Sequence, residues 1–426
     1  MKHFDFPLDQ FLSELETAVN IDSGTSDLEG CWKAARFYME RMTAAGLQAE
    51  IYPYGEENRP MVLGVTPGAP LPRFHTDAAE KTNPAMDCRP YDFLLVGHLD
   101  TVFPAGTVLA RPFRLGESSP EDNLAGNGGG RVYGPGTVDM KAGALLMIYI
   151  AQYMADNYPE IKLCLVLDSD EETGSMESAP YMVDLGNQSR CAFVFEGGRK
   201  KDQFVNQRKG CNKYEIRIHG VASHAGTAPW DGASAIVELG RWITALDKLK
   251  NYGRRTTVNI GLISGGTAFN VVPDLATAKM EVRFTDEKEI VRVERALRRL
   301  QENPKVEGTH AEVICLASTA PLRLNPATEN LMIQMKEYSP QYLDKIQAMQ
   351  DLGLLTGPAW PADFVSAGGL SDANRLAPCG IPIIDGCGPG GGNPHSPDEF
   401  LSVDTVLKRF AYFTGFLPWI SGYRAG

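Results

Sequence analysis

Acidic residues and histidines recur where apolar segments of the sequence end. The residues that share this position are His98 and Asp100 (FLLVGHLDTV), Asp139 (GPGTVDMK), Glu171 and Glu172 (LVLDSDEETG), Glu196 (AFVFEGG) and His395 (GGGNPHSPDE). Open α/β sheets bind their ligands at the carboxyl ends of their strands. Because the whole chain has only 7 histidines, two of them at such positions are informative. The pattern indicates a functional site assembled from several strand ends.

The chemistry that suits these residues is metal binding. Each residue alone is more typical of a hydrogen-bonded strand end, a turn or a helix cap. Two histidines and three carboxylates together, however, form the set of ligands that Zn²⁺ takes in proteins. Such a set exceeds what one tetrahedral ion with an open catalytic position requires. The sequence therefore favours two metal ions that share a bridging carboxylate.

The spacing of these residues along the chain indicates which of them bind metal and which support the ligands. Residues two apart in a strand point to the same side, so the Asp100 carboxylate can accept the second ring N–H of His98 and fix its tautomer. Adjacent residues in extended backbone face opposite ways. One of Glu171 and Glu172 can thus bind metal, while the other is free to take a proton from a water molecule that zinc activates.

The elements that carry these residues alternate between helix and strand. Apolar spacing predicts helices over 8–19, 31–45 and 141–154, and strands over 48–54, 91–97, 161–167, 191–195 and 381–386. The runs FLLV, LCLVL and CAFVF lack polar alternation, as expected of strands covered on both faces. We predict an α/β catalytic domain with a mostly parallel central sheet flanked by helices.

A second domain is inserted into the first. From about residue 206 the pattern becomes β-α-β-β-α-β, which is typical of a ferredoxin-like α+β unit. We predict residues 206–316 as the inserted domain, and residues 1–205 and 317–426 as the catalytic domain.

Composition excludes several classes of function. The formal net charge is −12, which argues against nucleic acid as a partner because such binding requires clustered Lys and Arg. No apolar run is long enough to span a bilayer, so we expect no membrane partner. The N-terminal residues lack a secretory signal pattern, and the 8 cysteines include no C-x-x-C pair. We expect a cytoplasmic protein with reduced cysteines.

The chain resembles a family of two-zinc amidohydrolases and metallopeptidases that includes bacterial glutamate carboxypeptidase, aminoacylase, acetylornithine deacetylase and succinyl-diaminopimelate desuccinylase. The matching motifs are GHLDTV, GPGTVDMKAG, DEETGS, FEGG, ASHAGTAP, GGTAFNVVPDLATAKMEVRF, GGLSDA and NPHSPDEF, and they follow the order of the family. Among its members, the motifs are most similar to those of glutamate carboxypeptidase.

The resemblance implies a role for each residue. The implied metal ligands are His98 and Glu196 for one zinc, Glu172 and His395 for the other, and Asp139 as the bridge. Glu171 would be the general base, and the Asp139–Met140 peptide bond would be cis. The inserted domain would be a lid and homodimerisation domain. Its His224 would stabilise the oxyanion in the partner's active site, and Asn270 and Arg283 would position the substrate.

The predicted function is a zinc-dependent hydrolase of an amide or peptide bond in a small substrate with a free carboxylate, although Mn²⁺ or Co²⁺ would also suit the ligands. An N-acyl-amino-acid deacylase uses the same machinery and remains the main alternative; a non-catalytic metal-binding homologue is a remote one. The glycine-rich segments lack the spacing of nucleotide-binding loops. Two departures from the family pattern are the segment GESSPEDNLAGNGGG (116–130) and Leu370 in GGLSD.

Overall fold

A computed structural model describes residues 6–74, 88–116 and 130–424 of the chain. Most of the glycine-rich segment 116–130, whose role the sequence left open, lies outside the described residues. The predicted fold is confirmed: the chain is an α/β protein with a mainly parallel sheet and a separate smaller domain.

The strands of the described residues, in chain order, are β1 (Gln48–Tyr54), β2 (Arg59–Val65), β3 (Phe93–His98), β4 (Arg114–Gly116), β5 (Arg131–Tyr133), β6 (Leu163–Asp168), β7 (Ala192–Val194), β8 (Phe204–Arg208), β9 (Gly210–His219), β10 (Thr257–Gly265), β11 (Leu275–Phe284), β12 (His310–Thr319), β13 (Phe364–Ala367), β14 (Ile383–Ile384), β15 (Gly391–Gly392) and β16 (Phe400–Ser402). The α-helices are α1 (Leu8–Val19), α2 (Leu28–Ala44), α3 (Thr107–Ala110), α4 (Ala142–Asn157), α5 (Ala179–Asn187), α6 (Ala235–Asp247), α7 (Glu287–Glu302), α8 (Pro326–Asp351), α9 (Asp372–Leu376) and α10 (Val403–Arg424).

Two compact units divide the chain. The first comprises Met1–Asn206, Leu324–Ser366 and Ser371–Gly426, and the second comprises Gln207–Arg323 and Ala367–Leu370. The second unit continues past the predicted end at residue 316 because β12 runs to Thr319. Beyond it, the carbonyl of Leu322 accepts the N–H of Arg208 at 3.0 Å.

The first unit is built on a six-stranded sheet with the order β1-β2-β6-β3-β7-β14. Strands β3, β6, β7 and β14 are parallel, whereas β1 and β2 form an antiparallel pair at one side. Every residue of β3 and β6 is buried, which explains their unbroken apolar sequences. The parallel arrangement brings the carboxyl ends of β3, β6 and β7 to the same edge of the sheet.

Helix α4 provides much of the core of this unit. It is buried on nearly all sides, and it packs against β3 and α10. Its first residue, Ala142, follows the irregular turn that carries Asp139. A rigid apolar helix therefore fixes the position of one candidate ligand.

The second unit is a four-stranded antiparallel sheet with the order β10-β11-β9-β12, and helices α6 and α7 pack against it. Alternate residues of β9 and β11, such as Ile216, Ile218 and Val282, are buried in the core that the helices share. This is the predicted β-α-β-β-α-β arrangement. No helix within the described residues is long and apolar enough to cross a membrane.

Candidate metal centre

His98 is the last residue of β3 and is fully buried. Its Nδ1 lies 3.0 Å from the carbonyl oxygen of Asp100 and 3.3 Å from the Asp100 carboxylate. Because both neighbours are acceptors, we assign the ring proton to Nδ1, which leaves the lone pair of Nε2 for a ligand. Asp100 is held in turn by the Thr25 hydroxyl at 2.6 Å. Asp100 thus lies beside the ring as predicted, but Nδ1 is hydrogen-bonded to its backbone carbonyl and not to its carboxylate.

Asp139 lies in an irregular turn before α4. The Asp139–Met140 bond is cis, as the resemblance implied. The preceding residues Gly134 and Gly136 have φ values of 147° and 75°, which side-chain-bearing residues rarely adopt. The carboxylate of Glu399 accepts the backbone N–H groups of Gly136, Val138 and Asp139 at 2.9–3.1 Å. Glu399 thus holds the turn that presents Asp139.

Glu171 and Glu172 follow β6, but they are not in the extended backbone that the sequence predicted. Residues Glu171–Thr173 form a 3₁₀ turn, because the Thr173 and Gly174 N–H groups bond back to the carbonyls of Asp170 and Glu171. A 3₁₀ helix has about three residues per turn, so neighbouring side chains diverge by roughly 120°. The two glutamates still point in different directions, although for another reason.

Glu196 and His395 complete the cluster. Glu196 follows β7, and its Oε1 lies 3.7 Å from His98 Nε2. His395 Nε2 lies 3.1 Å from an Asp139 oxygen and 3.2 Å from a Glu172 oxygen. Its backbone has a φ of 62°, an uncommon conformation for a residue other than glycine. The first unit therefore brings together all of the predicted ligands and Glu171.

The arrangement fits a metal ion. His98 Nε2 and Glu172 Oε1 are buried and make no hydrogen bond within the described residues. Around His98 Nε2, carboxylate oxygens of Asp139, Glu171 and Glu196 lie at 3.3, 3.9 and 3.7 Å. Two groups have donor atoms within 4.8 Å of one another: His98 with Glu171 and Glu196, and His98 with Asp139 and Glu172. A buried imidazole nitrogen among carboxylates suits Zn²⁺.

The electrostatics of the cluster also favour added positive charge. Burial raises the pKa of Glu171 well above its ordinary value, and the neighbouring charge of Glu196 raises it further. Burial would lower the pKa of His98, but the adjacent carboxylates of Asp100 and Asp139 raise it well above its ordinary range. Hydrogen bonds to Asp139 and Glu172 raise the pKa of His395 to about 10. The raised pKa values show that these groups hold protons against the negative charge of the carboxylates. A divalent cation would displace the protons and balance that charge instead.

The other two acids at the end of β6 have structural contacts. Asp168 accepts the Ser178 hydroxyl at 2.6 Å. Asp170 accepts the Tyr54 hydroxyl and the Glu177 N–H, both at 2.8 Å. Both acids therefore hold the segment that follows the two glutamates.

Sequence reasoning missed residues around the cluster. Glu399 and Asp372 lie in the recognised motifs NPHSPDEF and GGLSDA, but neither was given a role. Asp372 is buried and accepts the Ser175 hydroxyl at 2.5 Å, and burial raises its pKa to about 7. Thr25 offered no signal, because a lone threonine before a helix is common.

The predicted substrate residues lie in the second unit. His224 is exposed, and its Nδ1 accepts the N–H groups of Gly226 and Thr227 at 3.1 Å. The ring proton is therefore on Nε2, which is free to donate. Asn270 is exposed in a turn, and its carbonyl accepts the Ala225 N–H at 2.9 Å.

Arg283 lies on β11 and is already engaged. Its Nε and Nη2 donate to the two carboxylate oxygens of Glu281 at 2.7 and 3.1 Å, and its Nη1 donates to the Gly368 carbonyl at 2.9 Å. The guanidinium is therefore held in a fixed orientation.

Comparisons with known proteins agree with this fold. A family model described as the M20 "Peptidase dimerisation domain" matches residues 206–309. Carboxypeptidase G2 of Pseudomonas sp. (strain RS-16) is 24% identical over 405 residues, which cover 93% of this chain and 86% of that protein. A probable carboxypeptidase of Arthroderma gypseum is 32% identical over 216 residues, and the match spans only 45% of its length.

Structural similarity extends over nearly the whole chain. The crystal structure of aminopeptidase PepT from Bacillus cereus has a TM-score of 0.67 at 19% identity, covering 97% of this chain and 99% of that one. The homology defines a metallopeptidase or amidohydrolase, and the solved structure shows the same fold. The chain is homologous to carboxypeptidase G2 and to other M20 family metallopeptidases.

Proposed function

We propose that this protein is a zinc-dependent carboxypeptidase-like hydrolase, which cleaves an amide or peptide bond in a small substrate with a free carboxylate. One observation carries the proposal. The buried Nε2 of His98 has no hydrogen-bond partner in the described residues, yet it faces the carboxylates of Asp139, Glu171 and Glu196. Homology to carboxypeptidase G2 supports the choice of substrate class.

The proposed ligands are His98 and Glu196 for one ion, Glu172 and His395 for the other, and Asp139 between them. When bound, two divalent cations polarise the scissile carbonyl and increase the acidity of the attacking water. Glu171 takes a proton from that water and later delivers it to the departing amine, so that water is added across the C–N bond. Its raised pKa suits a group that must carry the proton between these events.

Residues outside the ligand set have supporting roles in this proposal. Asp100 keeps the ring proton of His98 on Nδ1. His224, whose Nε2 is free to donate, would stabilise the developing oxyanion. Arg283, with Asn270, would bind the substrate carboxylate.

We propose a homodimer in which the second unit supplies the interface, in agreement with the matched dimerisation domain. Strand β10 is an edge strand, and its Leu262 and Ile263 are 65% and 66% exposed. Exposed Ile236 and Val237 lie on α6, which packs against β10. Exposed apolar residues beside an open strand edge are typical of an interface. A cytoplasmic location stays a prediction; the 8 free cysteines are compatible with it.

The decisive experiment combines metal analysis with Glu171→Gln. The purified enzyme should contain about two zinc ions per chain and lose activity with a chelator. Glu171→Gln should keep the metal but reduce kcat by about 10³-fold, because general acid–base catalysis contributes roughly 10²–10⁴-fold. Glu160→Gln, at an exposed turn after α4, is the matched control.

The substrate panel separates the two candidate activities. It should compare peptides with C-terminal glutamate, other dipeptides and N-acetyl amino acids. Faster turnover of N-acetyl amino acids would identify a deacylase instead of a carboxypeptidase. Unchanged turnover by the chelated enzyme, or by Glu171→Gln, would contradict the proposed chemistry.

A further inference from the structure

A groove of about 260 Å³ lies on the surface of the second unit. Its lining residues belong to helix α7 and to the segment after α6, and they are Leu249, Lys288, Arg292, Arg295, Ala296 and Arg299. Four of these side chains are cationic, and none is an acid. The groove is therefore strongly basic in a chain whose net charge is −12.

Helical spacing concentrates these charges. Positions 288, 292, 295 and 299 recur every three or four residues, so the four cations lie on one face of α7. The opposite face packs into the core through Ile290, Val293 and Leu297. The basic face is thus fixed in position by the buried one.

One of the four cations is anchored within the protein. Arg292 donates to the buried carboxylate of Glu289 at 2.8 Å and to the Leu249 carbonyl at 2.7 Å. The Glu289 carboxylate also pairs with Arg254 at 2.9 Å, so its negative charge is shared between Arg254 and Arg292. Arg292 therefore joins α7 to the segment at the other wall of the groove, and the groove has a preformed shape.

The other three cations make no ion pair within the described residues: Lys288, Arg295 and Arg299 are exposed. Like charges three or four residues apart on a helix repel one another and destabilise it. Arg295 and Arg299 form such a pair. A bound anion would remove this repulsion and give the guanidinium groups their bidentate partner.

We propose that this groove is a binding site for a small phosphate anion, either free or as a phosphate monoester. The dianionic phosphoryl group presents several acceptor oxygens, which match converging guanidinium groups better than a single carboxylate does. The volume lies just below the usual range of about 300–1,000 Å³ for ligand pockets, which favours a small anion. The site is independent of the proposed hydrolytic activity.

The test is calorimetric titration of the metal-loaded, full-length enzyme with inorganic phosphate and with glycerol phosphate, in a chloride buffer of constant ionic strength. The wild type should show saturable binding. The double variant Arg295→Gln/Arg299→Gln should lose affinity by about tenfold or more, and Arg298→Gln should not. Arg298 is the matched control because it lies on α7 but does not line the groove.

Phosphate bound at the metal centre must be distinguished from phosphate in the groove. We expect phosphate to inhibit turnover equally in the wild type and the double variant, while the groove component of the titration is lost only in the double variant. The preferred probe, phosphate or glycerol phosphate, separates a free anion from an ester. Equal binding by the wild type and the double variant would overturn the proposal. An equal loss in Arg298→Gln, or equal binding of glutarate, would also overturn it.

Discussion

Glu399 accepts the backbone N–H of Asp139 at 3.1 Å, although the two residues are 260 positions apart. The same carboxylate also accepts the N–H groups of Gly136 and Val138. Glu399 lies four residues after His395, so one segment supplies a proposed ligand and also holds the turn that carries another. The positions of Asp139 and His395 are therefore coupled through the backbone between His395 and Glu399.

Replacing Glu399 by Gln should weaken metal binding by about 10–100-fold, the usual effect of removing a group that orients a ligand. The Gln side chain keeps one acceptor oxygen, and its NH₂ would face a backbone donor and leave it unsatisfied. The measurements are metal content after dialysis against a chelator and the visible absorption spectrum of the Co²⁺-substituted protein. Asp398→Asn, at the exposed neighbouring residue, is the control. Unchanged affinity and spectrum in Glu399→Gln would refute the coupling.

The sequence predicted much of the fold because its periodic segments are long or fully apolar. Helix α1 and strand β1 have their predicted bounds, and β3 and β6 differ by one or two residues. Strand β2 was not predicted; it contains Pro60, which cannot donate to a ladder. The predicted strand 381–386 shortens to Ile383–Ile384.

The sequence predicted which residue types form the candidate site, but it did not predict the backbone conformation that presents them. The ligand types and their strand-end positions identified the cluster. The 3₁₀ turn at Glu171 was not predicted; besides its local hydrogen bonds, the Glu172 N–H donates to the Asp100 carboxylate at 3.3 Å, a residue 72 positions away. The left-handed backbone of His395 was not predicted either, because few residues other than glycine adopt it. The role of Glu399 was hidden because its partners are backbone N–H groups more than 250 positions away, which carry no sequence signal.

Arg283 should act on substrate affinity more than on the chemical step. In Arg283→Gln, KM for a substrate with a free carboxylate should rise about tenfold or more, with little change in kcat. A substrate with that carboxylate blocked as an amide should show no change. The measurement is the separate determination of kcat and KM for both substrates.

The matched control for Arg283 is Arg217→Gln on the neighbouring strand β9. Arg217 donates to Glu215 at 2.7 Å, and this pair has the same two-residue spacing as Arg283 and Glu281. If Arg283→Gln changes KM equally for the free and the blocked substrate, Arg283 does not recognise the carboxylate.

The edge of β10 should form the proposed homodimer interface. Ile263→Asp would bury a charge against an apolar partner, so it should convert the dimer to monomers. Leu316→Asp, on the opposite edge strand β12, should leave the dimer intact. Light scattering coupled to gel filtration measures both masses. Dissociation by Leu316→Asp alone would place the interface on the other edge.

Lys345 provides a test of stability against pH. It lies on α8, where its Nζ donates to the Ala411 carbonyl at 3.3 Å and to the Thr414 hydroxyl at 3.4 Å. Burial lowers its pKa from 10.5 to about 8. Below about pH 8 both states carry the proton, and the folded state bears the full cost of a buried charge. Between pH 8 and 10.5 the folded state releases the proton before the unfolded state does, so this cost declines as pH rises.

Lys345→Met should therefore stabilise the protein by about 2 kcal/mol at pH 7, and the gain should decrease toward pH 10. Urea unfolding of the metal-free protein at both pH values measures the difference from wild type. The control is Lys336→Met on the exposed side of the same helix, which should have a small and equal effect at both pH values. A Lys345→Met variant that is less stable than wild type at pH 7 would show that the two hydrogen bonds of Lys345 outweigh the cost of burying its charge.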